Sequence, residues 1–360
     1  MHNYILSVCV TLVGFLLCAS APAGNDEPSH PGTLIAVNKS EASASLLDLK
    51  TGKHVARIAT GNAPHEVAVS PDGTTAVVGN YGDRREPGRT LTVIDLRKQK
   101  AVKTIDLKAY HRPHGIVFLP NGTRVVVTCE TERVLLIVNI ETGEVEDAVE
   151  TKARISHMVA VTPDASRAFV SSIGSGTITA IDLHERAFIK ELEAGAGAEG
   201  IDVSPDGREV WVTNRSADTI SIFNAQTLEK LDTLNCDSFP IRLKFTPDGK
   251  HALVSNARSG DVAIFDTARR ELVKRLSMKA TAVEKKDDRL FGDTFDESPV
   301  PIGILVHPNG KRAYVANTNA DIITVIDLEA LEIVDRLTAG EEPDGLALCP
   351  MDLVSAGSVE

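Results

Sequence analysis

The sequence predicts an all-β fold: a seven-bladed β-propeller of four-stranded antiparallel blades, with the ring closed by the N-terminal strands pairing with the C-terminal strand. Three observations predict it. A unit of near-constant length recurs seven times. Each unit is made of short Val/Ile/Leu-rich runs separated by Pro-Asp-Gly or Pro-Asn-Gly turns. The last unit stops early, and its missing part stands at the other end of the chain.

The unit is clearest in residues 301–327 (PIGILVHPNGKRAYVANTNADIITVID). Four landmarks define it: a leading Pro, a turn Pro, an Asn closing the second run and an Asp closing the third. In the fourth copy they fall at Ala198, Pro205, Asn214 and Asn224, and in the fifth at Pro240, Pro247, Asn256 and Asp266. Steps of 7, 9 and 10, then 16 to the next leading position, give a 42-residue period. The leading positions are Pro64, Pro113, Ser156, Ala198, Pro240, Pro301 and Pro343, each followed by its turn Pro seven residues on. Residues 33–48 supply the missing second and third runs, with Asn38 and Asp48 ten apart and Asp48 sixteen before Pro64.

Each unit reads as four strands, placed in the sixth at residues 303–307, 313–317, 322–327 and 333–338. The first run is apolar at nearly every residue (Val67-Ala68-Val69, Ile304-Leu305-Val306), which predicts burial on both faces. Sheets packed on both sides by their neighbours, with a split repeat that makes sense only if the ends meet, are propeller blades rather than a linear solenoid.

The pattern P-x-G-I-x-V-x-P-[DN]-G-x(3)-[YV]-V-x-N followed by V-I-D-L resembles the YVTN-type 40-residue β-propeller repeat family, which includes YncE-like periplasmic proteins. Asn80, Asn214, Asn256 and Asn317 carry the strand-end Asn of that family, whereas Cys129 and Ser172 depart from it. The resemblance spans about residues 33–350. It implies the fold and a periplasmic setting, and leaves the function open, since one fold hosts many functions.

At the N-terminus, an apolar run at residues 5–17 and the Ala21-Pro22-Ala23 end predict a signal peptide over residues 1–23. A flexible lead-in, 24–32, precedes a single propeller domain, 33–360. The expected location is therefore exported, periplasmic or secreted, with no membrane span once the signal is removed. A net charge of −12 and no basic-aromatic run exclude a direct nucleic-acid role. Cys129, Cys236 and Cys349 remain after signal removal, an odd and scattered set without CxxC, read as buried apolar residues.

Following the chain through a unit puts the leading positions, the Asn positions and the blade-to-blade connections on one face. Both large departures from the period, five residues around 82–89 and nineteen around 277–300, fall on that face. The residue after each leading position opens the innermost strand at the channel mouth. Around the ring these are His65, His114, His157, Glu199, Ile241, Ile302 and Asp344. One step on are Glu66, Gly115, Met158, Gly200, Arg242, Gly303 and Gly345, whose glycines let backbones crowd the axis. Asn80, Tyr81, Glu130 and Arg215 lie at or just after the strand-end Asn position, and they are expected to converge on the same funnel.

Three readings of this row stay open. His65, His114 and His157, with Glu199 or Asp344, hold a transition metal such as Zn, Cu or Fe. Alternatively the row binds a polar or anionic small molecule, with Arg215 and Arg242 as forks and His as acid or base, similar in residue types to lactonase-type propellers. In the third reading the channel is only solvated, and exported protein partners use the rim. The expected function is a binding protein acting through the His-rich mouth on a small molecule, metal or protein. The alternatives are an enzyme there, metal-dependent or lactonase-like, and an interaction scaffold. No nucleophile elbow, phosphate loop, dinucleotide fingerprint or CxxCH specifies a reaction.

Other residues read as structural. Asp202 and Lys244 share an inner-strand layer that is apolar in the other units, which predicts an ion pair between neighbouring blades. Asp48, Asp95, Asp182, Asp266 and Asp327 recur as turn acceptors. Trp211 is expected in the core and His307 at the surface. Phe291 and Phe295 in the insertion at 277–300 suit either a lid or docking tab, or an inert loop.

Overall fold

The computed structural model describes residues 1, 31–279, 289, 294–295 and 297–355. The expected signal segment therefore lies outside the described residues, as do Leu290 and Phe291 of the insertion. Among the described residues no helix is long and apolar enough to cross a membrane.

Seven four-stranded antiparallel sheets form the propeller. Six follow chain order from the axis outward. In the first blade the strands are Pro64–Val69, Thr75–Gly82, Pro87–Asp95 and Lys100–Asp106. The innermost strands of the next five are Pro113–Phe118, Ser156–Val161, Ala198–Val203, Pro240–Phe245 and Pro301–Val306. The seventh blade is composite: Pro343–Cys349 is innermost, followed by Thr33–Asn38, Ser43–Asp48 and His54–Ala59. Ile35 pairs with Ala347 and Thr33 with Cys349, so the chain ends close the ring.

The sequence pattern explains burial strand by strand. The three inner strands of a blade face neighbours on both sides and are mostly apolar, as in Val134–Asn139 (VLLIVN). The fourth strand is the rim and is largely exposed, as in Glu332–Thr338. Core side chains sit between blades; one cluster joins Phe169 and Ile178 of the third blade to Ile201, Val212 and Phe223 of the fourth. Trp211 is fully buried and packs edge-on against Phe245, its indole N–H donating to Glu209 at 2.8 Å. The three cysteines are buried and free.

The repeat's polar landmarks hold the loops. The Asp95 carboxylate accepts the Lys98 backbone N–H at 2.9 Å, and Asp182 accepts those of His184 and Glu185. Lys244 meets Asp202 at 3.3 Å across the fourth and fifth blades, as the layer argument predicts. The sixth blade's innermost strand starts at Pro301, two residues before its expected start. Pro301 pairs with Asn317, and a proline without an N–H suits the first position of a strand.

His307 departs from its expected exposure. It is buried, with Nε2 3.1 Å from the Pro31 carbonyl. The five-residue insertion in the first blade extends a hairpin, with Gly82 paired to Pro87 and the Asp83 carboxylate accepting the Arg85 and Glu86 N–H groups. In the larger insertion, Arg289 grips Asp321 with two bonds of 2.7 Å, and Phe295 packs on Phe239 at 5.1 Å.

Candidate functional site

A recurring irregularity aims the channel-mouth row. In all seven blades the register between the innermost and second strands shifts just after the leading position, as between Pro64 and Glu66, Ser156 and Val159, Ala198 and Ile201, or Pro343 and Leu346. The same shift occurs at Pro113, Pro240 and Pro301. A bulge leaves a residue outside the ladder and re-aims its side chain. The residues freed include His65, His114, His157 and Glu199.

Two glycines let these strands approach. A Cβ on Gly345 would lie 2.5 Å from the His65 carbonyl oxygen and 2.8 Å from Glu66 Cα. One on Gly200 would lie 2.6 Å from Arg242 Cα. Only a residue without a side chain fits at either point.

The three histidines form a buried stack. Ring centroids of His65 and His114 are 5.1 Å apart, and those of His114 and His157 are 3.7 Å apart. Tyr81 closes the group, 4.3 Å from His65. All three imidazoles are buried, His114 to 1 % exposure.

A polar chain runs from this stack across the mouth. The Tyr81 hydroxyl donates to Glu130 Oε2 at 2.6 Å, and Glu130 Oε1 lies 2.5 Å from His157 Nδ1. The other nitrogen of His157 lies 3.2 Å from Glu199 Oε1. Arg215 donates to Glu199 Oε2 at 2.6 Å, and Arg242 reaches Glu199 at 3.3 Å and Glu66 at 2.8 Å. Residues from the first five blades are thus joined in one network, as the funnel argument expects.

Environment divides the titrating groups. Burial, with Lys39 nearby, depresses His65 to about 3, and burial with His157 holds His114 well below the ordinary imidazole range. Burial works against the charge of His157 too, but hydrogen bonds to Glu130 and Glu199 outweigh it and raise its pKa. Burial would raise Glu199, yet Arg215, His157 and Arg242 bring it down to about 2. Asp344 is pushed up to about 7, chiefly by burial, with Arg242 opposing and Glu66 adding.

Among the described residues, three buried polar atoms at the mouth lack a hydrogen-bond partner: His114 Nδ1, Arg242 Nε and Asp344 Oδ1. Among the described residues, His114, Glu130 and His157 offer ligand atoms that all lie within 4.8 Å of one another. That grouping differs from the His65, His114, His157 set expected from sequence. His65 Nδ1 instead faces the Ala63 carbonyl at 2.9 Å.

Asn80 stands apart from this network. Its Nδ2 donates to Thr90 and Thr92 at 3.0 Å each and its Oδ1 accepts the Gly61 N–H, so its amide braces the blade. Asn38 does the same with Ser43, Ser45 and Gly340. The forks of Arg215 and Arg242 already meet glutamates rather than lying open for an anion.

Sequence reasoning missed two kinds of residue. Lys39 follows Asn38 as Tyr81 follows Asn80, and it lies by the mouth, 3.9 Å from Glu342. The repeat position alone marks it. Thr128 and Ser171 donate to the backbone carbonyls of His157 and Glu199 on the next blade, and so seat those strands. Their signal is a hydroxyl residue just before the strand-end position, seen again in Thr213 and Ser255.

Comparison with known proteins agrees with the fold. Among solved structures, a chain titled "Kuenenia stuttgartiensis Hydrazine Synthase" superposes with a TM-score of 0.68 at 20% identity, covering 87% of this chain and 99% of its own. A functionally unknown protein from Desulfotomaculum acetoxidans DSM 771 gives 0.72 at 15% identity, covering 89% and 100%. At such identities the likeness concerns the fold alone. A search of curated proteins gave no match. The sequence profile described as "Lactonase, 7-bladed beta-propeller" matches residues 38–285, more than half of the sequence. The chain therefore belongs to the lactonase seven-bladed β-propeller family.

Proposed function

We propose that the protein is an exported binding protein that takes up a small, uncharged polar molecule at the channel mouth. One observation carries this: His114 Nδ1, Arg242 Nε and Asp344 Oδ1 are buried there without partners. Buried polar groups are normally satisfied, and a hydroxyl- or carbonyl-bearing ligand supplies what is missing. Charge favours a neutral ligand. Arg215 and Arg242 are engaged by Glu199 and Glu66, so little cationic capacity is left for an anion. Export rests on the apolar run and Ala-x-Ala end of residues 1–23, and the finer kinship, a YVTN-type and YncE-like propeller, on the repeat motif.

A second reading, an enzyme at the same mouth, is favoured by the lactonase family match. A lactone is neutral and carries the required carbonyl. In its hydrolysis, water oxygen bonds to the carbonyl carbon, the ring C–O bond breaks and the proton passes to the ring oxygen. His114, kept unprotonated by burial, is the candidate base.

The test is calorimetry and thermal shift with neutral polyols, sugars and lactones, with pH-stat assay of ring opening. A true ligand at a hundred times its Kd adds about 2.7 kcal/mol of stability. Saturable binding weakened about tenfold or more by His114→Ala supports the binding reading, and acid release also abolished by that change selects the enzyme. Binding of nothing in the panel, or equal binding by the variant, sinks both and turns the search to exported proteins at the rim.

A further inference from the structure

We infer that His114, Glu130 and His157 form a binding site for a divalent transition metal ion of the zinc type. The inference shares His114 with the small-molecule reading but adds Glu130 and His157, which that reading does not use. Their ligand atoms lie within 4.8 Å of one another, and all three side chains are buried or nearly so. Two imidazoles and one carboxylate are a donor set suited to zinc, and to iron(II). With three protein ligands, a fourth position stays open.

The second observation is the unpartnered atom. His114 is 1 % exposed, and its Nδ1 has no hydrogen-bond partner, although it sits against His157 with centroids 3.7 Å apart. A buried donor or acceptor without a partner is unfavourable. Bonding to a metal ion removes that penalty.

The surroundings also resemble a supported metal site. A ligating imidazole ordinarily has its second nitrogen held by a carboxylate or carbonyl, and a ligating carboxylate is itself hydrogen-bonded. His157 turns Nδ1 toward Glu130, while its Nε2 lies 3.2 Å from Glu199, whose other oxygen is fixed by Arg215. Glu130 turns Oε1 toward His157 and receives the Tyr81 hydroxyl on Oε2. Each of the two is thus braced from behind, with one ligand atom facing the other.

Glu130 and His157 need to part slightly, and the ligand atom of His114, within 4.8 Å of theirs, needs to close by at most about 1.5 Å. A tetrahedral ion with bonds of about 2.0–2.1 Å sets its ligands about 3.3 Å apart. Glu130 Oε1 and His157 Nδ1, now at 2.5 Å, need to part by less than about 1 Å for the ion to enter between them. His65 stands outside this group of ligand atoms. Tyr81 acts as a positioning residue through Glu130.

The experiment is titration of the untagged, chelator-treated full chain with Zn2+ alone, followed by calorimetry, and with Co2+ followed by its visible absorption. The expected result is one ion per chain. His114→Ala and Glu130→Gln abolish it, His65→Ala keeps it, and Tyr81→Phe weakens it about 10–100-fold without changing stoichiometry. Melting curves accompany each variant. Should His114→Ala fail to fold, the near-isosteric Glu130→Gln decides. Absence of saturable binding, or binding that survives Glu130→Gln, overturns the inference and leaves the small-molecule reading standing. Uptake of a sugar or lactone unaffected by chelation separates the two in the other direction.

Discussion

Arg242 of the fifth blade donates to Glu66 of the first blade at 2.8 Å, across the channel rather than to a neighbour in the ring. Its other terminal nitrogen reaches Glu199 of the fourth blade. Both partners are well buried, so the pair is a cross-brace between blades that share no strand contact through the chain order.

Removing one side of that brace leaves a buried charge with reduced compensation. Loss of one partner of a buried ion pair costs about 3–5 kcal/mol, and here the lower end is expected because Glu199 stays in reach of Arg242. Glu66→Ala is therefore expected to lower the urea midpoint sharply. Arg242→Met with Glu66→Met is expected to recover most of the loss. If the double variant is as weak as the sum of the singles, the two side chains are not coupled.

Asp344 gives the protein a specific pH dependence. Its folded pKa is about 7, above the ordinary carboxyl value near 4. The contribution of this group is thus full below about pH 4 and is lost as pH rises through 7. Asp344→Asn mimics the protonated form. Its stability advantage over the parent chain is expected to widen between about pH 4 and 7 and to level off above, reaching a few kcal/mol at ~1.4 kcal/mol per pKa unit. Urea midpoints at several pH values check this; a gap constant with pH rules Asp344 out as the cause.

Gly345→Ala is expected to destabilise by about 1–3 kcal/mol, the usual range for overpacking. The added methyl meets backbone atoms of His65 and Glu66, which cannot swing aside as a side chain tip can. Gly310→Ala provides the contrast in space, with nothing within 4 Å, although its positive φ adds backbone strain. A Gly345→Ala chain as stable as the parent would show that the inner strands at the seventh and first blades are not tightly apposed.

Deletion of residues 343–360 removes the innermost strand of the seventh blade and leaves Thr33–Asn38 paired on one edge only, with Ser43–Asp48. The expected outcome is loss of a single cooperative unfolding transition, with aggregation in place of a soluble monomer-like species. Chromatography and circular dichroism on the truncated chain decide it. A soluble product with an unchanged melting curve would mean that closure contributes little.

Most of the architecture was legible because spacing carries it. The 7-9-10-16 rhythm fixes which runs pair, and the same arithmetic brings Asn38 and Pro343 together. Trp211 in the core and the Asp202–Lys244 pair followed from their layer in the repeat. The row His65, His114, His157, Glu199 was legible for the same reason. What spacing does not carry is the path of a side chain after the bulge. It cannot tell that Glu130 lies closest with His114 and His157, because that depends on the side-chain path that Tyr81 and His157 give Glu130. Nor can it foresee that Arg215 meets Glu199 of its own blade while Arg242 meets glutamates of two others, or that the Pro31 carbonyl meets His307.

Ring closure also has a meaning in time. The chain is made from its N-terminus, so Thr33–Asn38 emerges early and its strand partner, Pro343–Cys349, emerges last, about three hundred residues later. Throughout that interval the early strand has one edge of bare N–H and C=O groups, the kind of edge that recruits other chains. A chain that stops short of Pro343 never covers it. The seven-residue strand Pro343–Cys349 therefore works as a seal on the ring, and a chain lacking it is told apart by a single exposed edge.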